Sequence, residues 1–268
     1  MGRKRSIKNA AVEMIEQRFR CTACGKCCYG EIPLTLDDAL ANADRFPLAM
    51  VWTPVQQGTK VFQLTSRLGT IVQIAKGKTV AVLIAPTAYI PPSMACPALA
   101  PDNLCSIHDR KPMRCRTMPF YPYRNEDAQS DVLVPRKNWL CDMSETAPVV
   151  YKNGKIVDRT DFDREREGLM KHASVLDAYA QGLLKVHAPL MEFLAKTALN
   201  PTGRFVVRFS TFLLMNKIYD ILSFAKKQHP VLVEFADRTA SMPNAADHHK
   251  YYKEAIADLA WFAKKASK

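Results

Sequence analysis

Apolar and polar positions alternate in several short stretches of the first half of the chain, as they do in β-strands. Stretches rich in Val and Ile at Thr70–Ala75 and Thr79–Ala85 flank a Lys-Gly-Lys turn, which indicates a hairpin. A second hairpin is predicted at residues 148–157, where Asn153-Gly154 favours a type I′ turn. A further short strand is expected at Lys60–Leu64.

Two helices are predicted in the same half. Residues 8–20 are expected to form a short helix that ends at a group of cysteines. Thr35 followed by Asp38 is typical of a capping box, which opens a helix through about Arg45. The stretch from 86 to 135 is punctuated by prolines, so we expect it to be irregular.

The second half of the chain has apolar residues at helical spacing instead. A helix is predicted to begin near Thr160 and to be kinked or divided at Pro189. A second helix is predicted over about 202–227, a shorter one over 230–238 and a third over about 246–265.

Composition agrees with a globular protein of mixed structure. The chain has 268 residues, 48% hydrophobic and 24% charged, which is enough apolar material for one or two hydrophobic cores. All eight cysteines lie between Cys21 and Cys141, so any cysteine chemistry belongs to the first part of the chain. We therefore predict an α+β fold: a cysteine-rich metal-binding domain with β-hairpins at residues 1–160, followed by a helical domain at residues 161–268.

The sequence predicts neither a secretion signal nor a membrane span. The basic first residues lead into no apolar stretch with a cleavage site. The longest charge-free stretch, 79–101, contains prolines that would break a membrane-spanning helix. We expect a cytoplasmic protein, where a reducing environment favours metal or redox chemistry of cysteines over disulfides.

The net charge of +12 allows two explanations. A basic protein commonly binds nucleic acid or an anionic membrane surface. Thiolates around Zn²⁺ or a [4Fe–4S]²⁺ cluster also carry about −2 in total, which nearby cations would offset. Basic residues gather around Cys105 and Cys115 and lack the interleaved aromatic residues of a base-stacking platform, which argues against nucleic acid.

The string Cys21-Thr-Ala-Cys24-Gly-Lys-Cys27-Cys28 carries the strongest chemical signal. A Cys-x-x-Cys pair followed by glycine is the form of a zinc knuckle. Three cysteines at this spacing also form the loop that wraps a [4Fe–4S] cluster, whose fourth thiolate comes from elsewhere and is often followed by proline, as in Cys96-Pro97. Eight cysteines would also suffice for two separate sites.

Further along, Cys96-Pro-Ala-Leu precedes Cys105-Ser-Ile-His-Asp-Arg-Lys-Pro-Met-Arg-Cys115-Arg-Thr-Met-Pro-Phe. With the first string, this resembles the YkgJ-type cysteine-cluster family of zinc- or iron-chelating proteins, over roughly residues 19–122. The chain has His108 where that family usually has tyrosine, and the histidine is a further candidate ligand or, more simply, a surface residue. The family includes flagellin lysine N-methylases, so the resemblance also implies methyl transfer.

The cysteines of the string and of the resemblance, together with Cys141, are eight candidate metal ligands: Cys21, Cys24, Cys27, Cys28, Cys96, Cys105, Cys115 and Cys141. Cys28 and Cys141 are open cases, since adjacent cysteines rarely reach one ion and Cys141 lies outside the resemblance. Arg110 and Arg116 are candidate donors to cluster sulfurs or to a bound anion. The spacing favours an iron–sulfur cluster over zinc.

Three functions remain open on the sequence alone. The first is a metal-binding protein whose iron–sulfur cluster or zinc has a structural, redox or metal-handling role. The second is a protein lysine methyltransferase using S-adenosylmethionine, although the usual glycine-rich loop is missing from the sequence. The third is a zinc-dependent nucleic-acid-binding protein. Aromatic and methionine side chains of the helical part could also contact a protein partner.

Overall fold

The computed structural model describes residues 16–266. Its strands within that range are β1 (Glu16–Arg18), β2 (Ile32–Pro33), β3 (Leu48–Gln56), β4 (Thr70–Ala75), β5 (Lys78–Ala88), β6 (Val149–Lys152), β7 (Lys155–Ile156) and β8 (Phe205–Arg208). Its α-helices are α1 (Leu36–Ala41), α2 (Phe62–Leu68), α3 (Met113–Arg116), α4 (Thr160–Lys171), α5 (Ala173–Val186), α6 (Ala188–Thr197), α7 (Phe209–Met215), α8 (Ile221–Thr239) and α9 (Ala246–Ala266). None of these helices is both long and apolar enough to cross a bilayer.

An antiparallel five-stranded sheet forms the centre of the molecule. Its order is β2-β5-β3-β8, and β4 also pairs with β5. The longest ladder joins β3 to β5, from Leu48 opposite Ala88 to Gln56 opposite Val80. A separate sheet of three strands has the order β1-β6-β7. Strands dominate the first part of the chain and helices the last, which confirms the predicted α+β class.

Both predicted hairpins are confirmed, because each is determined by its own turn. The first is β4 and β5, and β5 extends to Ala88. In the second, Asn153 and Gly154 have φ angles of 50° and 75°. Two consecutive positive φ angles are what a type I′ turn requires, and Asn-Gly supplies them with little strain.

The start of α1 follows the predicted capping box. The Thr35 hydroxyl accepts a hydrogen bond from the Asp38 backbone N–H at 3.1 Å, and the helix ends at Ala41, earlier than expected. The predicted strand at Lys60–Leu64 is wrong, since α2 begins at Phe62. Buried Leu64 and Leu68 are four residues apart, which places them on one face of a helix.

The predicted helix at 8–20 lies partly outside the described residues, and residues 16–18 form β1, which pairs with β6. The predicted helix at 202–227 is wrong. Phe205–Arg208 pairs with β3 as strand β8, and a new helix begins after Asp220, whose carboxylate accepts hydrogen bonds from two backbone N–H groups. Pro189 lies in the first turn of α6, where its missing N–H costs nothing.

The main hydrophobic core joins the sheet to the C-terminal helices. It extends from Ile32 to Leu259, so residues on both sides of position 160 share it. Trp52 of β3 is fully buried and makes an edge contact with Tyr179 of α5 at 5.9 Å between ring centroids. Residues on both sides of the predicted boundary at residue 160 therefore pack together, and the division into two domains stays a prediction.

Gln228 of α8 connects the last helices to the loop before β3. Its side-chain oxygen accepts a hydrogen bond from the Leu48 N–H at 2.6 Å, and its amide donates to the carbonyls of Ala43 at 2.7 Å and Phe46 at 2.8 Å. The side chain is buried, so all three backbone groups would lose their partners without it. Tyr251 of α9 also donates to the Leu48 carbonyl, at 2.6 Å.

We expect Gln228→Leu to lower the free energy of unfolding by about 3 kcal/mol, because it orphans buried backbone groups while keeping the side-chain volume. Urea unfolding followed by circular dichroism measures this loss. Lys227→Leu, at the exposed neighbouring position, is the matched control and should change stability by less than about 0.5 kcal/mol. Equal losses in the two variants would contradict the role given to Gln228.

Candidate metal centre

The first four cysteines lie on a tightly turned loop, Cys21–Cys28. Ala23 and Gly25 have left-handed φ angles of 54° and 70°. A side chain at Gly25 would meet Asn103 at 3.1 Å and Leu99 at 3.2 Å, so the loop lies directly against the 99–103 segment. An alanine in the left-handed region is uncommon and strained, and such strain is typical of ligand-binding loops.

Backbone hydrogen bonds hold the beginning of this loop against the segment that contains Cys141. The N–H of Arg20 donates to the Asp142 carbonyl at 2.8 Å, and the Asp142 N–H donates back at 3.0 Å. The Thr22 hydroxyl donates to the Leu140 carbonyl at 2.9 Å. Cys141 lies between these two contacts, which brings it beside the loop.

The end of the loop is held by a different segment. The N–H of Cys96 donates to the Cys28 carbonyl at 2.8 Å. Leu99 then forms an antiparallel bridge with Cys105, which continues the same connection. Cys115 follows on the short helix α3, whose first N–H, at Met113, donates to the Asp38 carboxylate at 3.0 Å.

The eight thiols fall into two groups that differ in their surroundings. The inner group contacts the main hydrophobic core and consists of Cys28, Cys96, Cys105 and Cys115. The remaining four are not among the described residues of that core, and we call them the outer group: Cys21, Cys24, Cys27 and Cys141. Within the outer group Cys21 and Cys27 are exposed to solvent, whereas Cys96 of the inner group is buried.

Electrostatic interactions connect the thiols of the outer group with one another, and Cys27 also acts on Cys96 and Cys115 of the inner group. Burial raises the pKa of Cys141, and the negative charges of Cys24 and Cys21 raise it further. Burial also acts on Cys24, but hydrogen bonds with the backbone of Lys26 and Leu140 outweigh it and lower the pKa of Cys24. The thiols of this group are therefore close enough to influence one another's ionisation.

The inner group shows corresponding interactions. Burial raises the pKa of Cys115 to about 12, and the charge of Cys96 adds to the shift. Burial likewise raises the pKa of Cys96, with a further contribution from Cys105, although the Ala98 N–H stabilises the thiolate. Ionising several buried thiols side by side is unfavourable unless a cation or metal joins them.

Cys27 and Cys28, adjacent in the chain, connect the two groups. The Cys28 thiol donates a hydrogen bond to the Cys27 sulfur, which lowers the pKa of Cys27 to about 6 and raises the pKa of Cys28. The positive charge of Lys111 also favours the Cys27 thiolate. In the metal-free protein Cys27 is therefore the anion and Cys28 the donor.

Two backbone amides point at cysteine sulfurs in the same local geometry. The Ala23 N–H donates to the Cys21 sulfur, and the Ala98 N–H donates to the Cys96 sulfur, each at 3.4 Å and each two residues after its cysteine. Hydrogen bonds of this kind stabilise a thiolate and tune a metal bound to it. Each group thus contains one sulfur already held by a backbone donor.

The donor set is chemically suited to a thiophilic metal, since thiolates are the ligands of structural zinc and of iron–sulfur clusters. Among residues 16–266, no three Cys, His, Asp or Glu side chains already converge on a point where a single ion would fit. The thiols are nevertheless close enough for their charges to interact. Residues 20–142 match the CxxCxxCC family model.

That family model is described as a “Putative zinc- or iron-chelating domain”. The match confirms the resemblance found in the sequence and indicates a zinc- or iron-chelating function for this CxxCxxCC segment. It extends to residue 142 and so includes Cys141. No curated protein and no solved structure matches the chain significantly.

Two arginines of the CxxCxxCC segment were predicted to serve the sulfurs, and that role stays a prediction. Arg116 donates to the backbone carbonyls of Lys111 and Asp109. It lines a cleft of about 350 Å³ that also includes His108. Arg110 is exposed, on a single 3₁₀ turn with His108.

Three other cations interact with the thiols, and of these only Arg45 was missed by sequence reasoning. Lys111 lowers the pKa of Cys27, while Arg45 and Arg114 counteract the upward pKa shifts of Cys96 and Cys115. Lys111 and Arg114 flank the cysteines in sequence and are among the basic residues that the sequence placed around Cys105 and Cys115. No sequence pattern near Arg45 indicates this role, because only the folded chain brings Arg45 close to Cys96.

A buried ion pair joins the CxxCxxCC segment to the helices that follow it. Arg114, adjacent to Cys115, lies 3.5 Å from Glu165 of α4, and their side chains are 6% and 1% exposed. The guanidinium also donates to the Phe120 carbonyl and lies over the Tyr121 ring at 5.2 Å. Burial raises the pKa of Glu165 and the charge of Arg114 opposes that shift. Breaking such a pair leaves an uncompensated buried charge.

In the metal-free reduced protein, we expect Cys27 to be alkylated by iodoacetamide with a half-maximal rate near pH 6, because the thiolate is the reactive form. Mass spectrometry of the labelled peptides across a pH series measures this midpoint. In Cys28→Ala the midpoint should rise, since the donor that stabilises the thiolate is gone. A Cys27 midpoint above about pH 8 in both proteins would contradict the assigned hydrogen bond.

Proposed function

We propose that this protein is an iron–sulfur protein whose outer group, Cys21, Cys24, Cys27 and Cys141, holds a [4Fe–4S] cluster with a redox or metal-handling role. The observation that carries the proposal is the pairing of Arg20 with Asp142, which brings a fourth thiol to a three-thiol loop. Three closely spaced cysteines with a remote fourth are the usual ligand set of such a cluster.

Cys141 supports this role better than Cys96, which the Cys-Pro pattern had suggested as the fourth ligand. The pKa of Cys141 responds to the charges of Cys24, Cys21 and Cys27 in that order. Cys96 contacts the core and interacts first with Cys105.

The spacing of the cysteines along the chain, three with two residues between neighbours and a remote fourth, supports a cluster over a single ion. Zinc needs four sulfurs about 2.3 Å from one point. A [4Fe–4S] cluster places iron and sulfide atoms between its four thiolates, which therefore stay farther apart. The solvent exposure of Cys21 and Cys27 would give electrons or a metal-accepting partner access to it.

When bound, the cluster supplies one-electron redox capacity. The chain's own groups act on these ligands: the Ala23 N–H donates to the Cys21 sulfur, and contacts with Lys26 and Leu140 lower the pKa of Cys24. Lys111 favours the anionic form of Cys27. A chain with eight free thiols also fits the reducing cytoplasm, which we propose as its location. Methyl transfer and nucleic-acid binding stay predictions from the sequence.

Purification without oxygen, followed by iron, sulfide and zinc analysis, tests the proposal. We expect a brown protein with broad absorption near about 400 nm and at least about four iron and four sulfide atoms per chain. A colourless protein that carries zinc and no iron after reconstitution with iron and sulfide would overturn it.

Variants of the outer group assign the ligands. Cys24→Ser and Cys141→Ser should each lower the iron content by about four atoms per chain, since a missing thiolate opens the cluster. Leu140→Ala, at an exposed position beside Cys141, is the matched control and should keep its iron. Unchanged far-ultraviolet circular dichroism would show that α8 and α9 remain folded. Full iron content in Cys141→Ser would contradict its assignment.

A further inference from the structure

The last helix, α9, packs one face on the core and leaves the opposite face in solvent. Tyr252 and Leu259 are buried in the main core. Exposed residues recur on the other side at intervals of three or four positions, which is the spacing of one helix face: Lys250, Lys253, Ala257, Trp261 and Lys264. We call these five residues the outer stripe of α9.

Trp261 is the unusual member of the outer stripe. Its side chain is 62% exposed, whereas Trp52 is fully buried and Trp139 is half-buried. Lys265 lies over the Trp261 ring at 5.0 Å, and Phe262 contacts it edge-on at 4.9 Å between ring centroids. Tryptophan combines an apolar ring with a polar N–H, which is why it is enriched at protein interfaces and at membrane surfaces.

Four lysines surround this ring on the same side of the helix: Lys250, Lys253, Lys264 and Lys265. All four are exposed, and none of them forms an ion pair with another residue in the described part of the chain. Solvated lysines alone are ordinary on a helix surface. Unpaired lysines around an exposed tryptophan are the combination found on helices that lie at an anionic membrane surface.

Acidic side chains of α9 do not cancel this charge. Glu254 and Asp258 lie at the edge of the outer stripe, and Arg208 of β8 pairs with both of them. Asp247 lies in the first turn of α9, at the opposite end of the helix from Trp261. The lysines therefore stay in excess, in a chain whose net charge is +12.

An anionic membrane surface fits the outer stripe better than nucleic acid or an acidic protein does. Lysines attract anionic head groups, and the indole ring of tryptophan prefers the level of the head groups. Single-stranded nucleic acid binds to several aromatic side chains on which successive bases stack, whereas the outer stripe has one aromatic ring. Protein interfaces have a larger apolar centre, and the other apolar residue of the stripe is only Ala257.

We propose that the outer stripe of α9 binds the protein to an anionic membrane surface, with Trp261 among the lipid head groups and the lysines against their phosphates. The contact is peripheral, because no described helix is both long and apolar enough to cross a bilayer. It is independent of the proposed cluster, since α9 contains no cysteine. Failure of either proposal therefore leaves the other standing.

Co-sedimentation of the purified full-length protein with lipid vesicles tests the proposal. Vesicles of phosphatidylcholine with about one third phosphatidylglycerol should bind at least about tenfold more protein than vesicles of phosphatidylcholine alone. Raising the salt concentration from about 0.1 M to about 0.5 M should release the protein, because salt screens exposed charges. Equal binding to the two kinds of vesicle, or binding to neither, would overturn the proposal.

Charge reversal locates the contact on the molecule. Lys253→Glu combined with Lys264→Glu should lower binding to the anionic vesicles at least about tenfold. Lys76→Glu combined with Lys78→Glu is the matched control, because it changes the net charge equally at exposed positions around the β4–β5 turn, and it should keep most of the binding. Equal losses in the two double variants would mean that net charge alone drives adsorption, which would overturn the proposal.

Tryptophan fluorescence tests how the protein lies on the vesicle. Transfer of Trp261 from water to the head groups should shift the emission to shorter wavelength when anionic vesicles are added. This shift should disappear in Trp261→Phe and persist in Trp139→Phe. A shift that survives Trp261→Phe would contradict the proposed orientation, and binding of a single-stranded DNA oligonucleotide without any binding to vesicles would identify nucleic acid as the ligand instead.

Discussion

The positions of the first four thiols depend on how the backbone of the Cys21–Cys28 loop is held. At its start the loop pairs with residue 142 through two reciprocal hydrogen bonds, and at its end the Cys28 carbonyl accepts the Cys96 N–H. Tyr29 and Ala95 extend this second contact as an antiparallel bridge. Because backbone bonds do not depend on side-chain ionisation, the thiols are gathered before any metal binds. Metal binding would then have to supply only the final convergence of the sulfurs.

The C-terminal helices stabilise this arrangement through packing, an ion pair and hydrogen bonds. The inner group contacts a core to which the C-terminal helices contribute, and Arg114 reaches Glu165 on the first of them. Gln228 and Tyr251 anchor the last helices to Leu48, at the start of the longest strand. The helical part therefore packs against the segment that carries the cysteines. A perturbation in α8 or α4 can reach the cysteines through packed and hydrogen-bonded groups.

Features determined by neighbouring residues could be predicted from the sequence. The Asn153-Gly154 turn, the Thr35 cap and the spacing of the first four cysteines all depend on a few adjacent positions. The helix predicted over 202–227 failed because Phe205–Arg208 is a strand only when β3 lies beside it. The division of the cysteines into an inner and an outer group could not be predicted from the sequence for the same reason. It depends on contacts between residues 20 and 142 and between residues 28 and 96, which only the fold brings together.

Strand β8 has a consequence for the order in which the molecule assembles. It covers one edge of β3 but follows it by about 150 residues, so the ribosome completes the whole cysteine segment before β8 emerges. During that interval the uncovered edge of β3 is a template for pairing with other chains. The nascent protein therefore passes through a stage in which its thiols are present and its central sheet is still open.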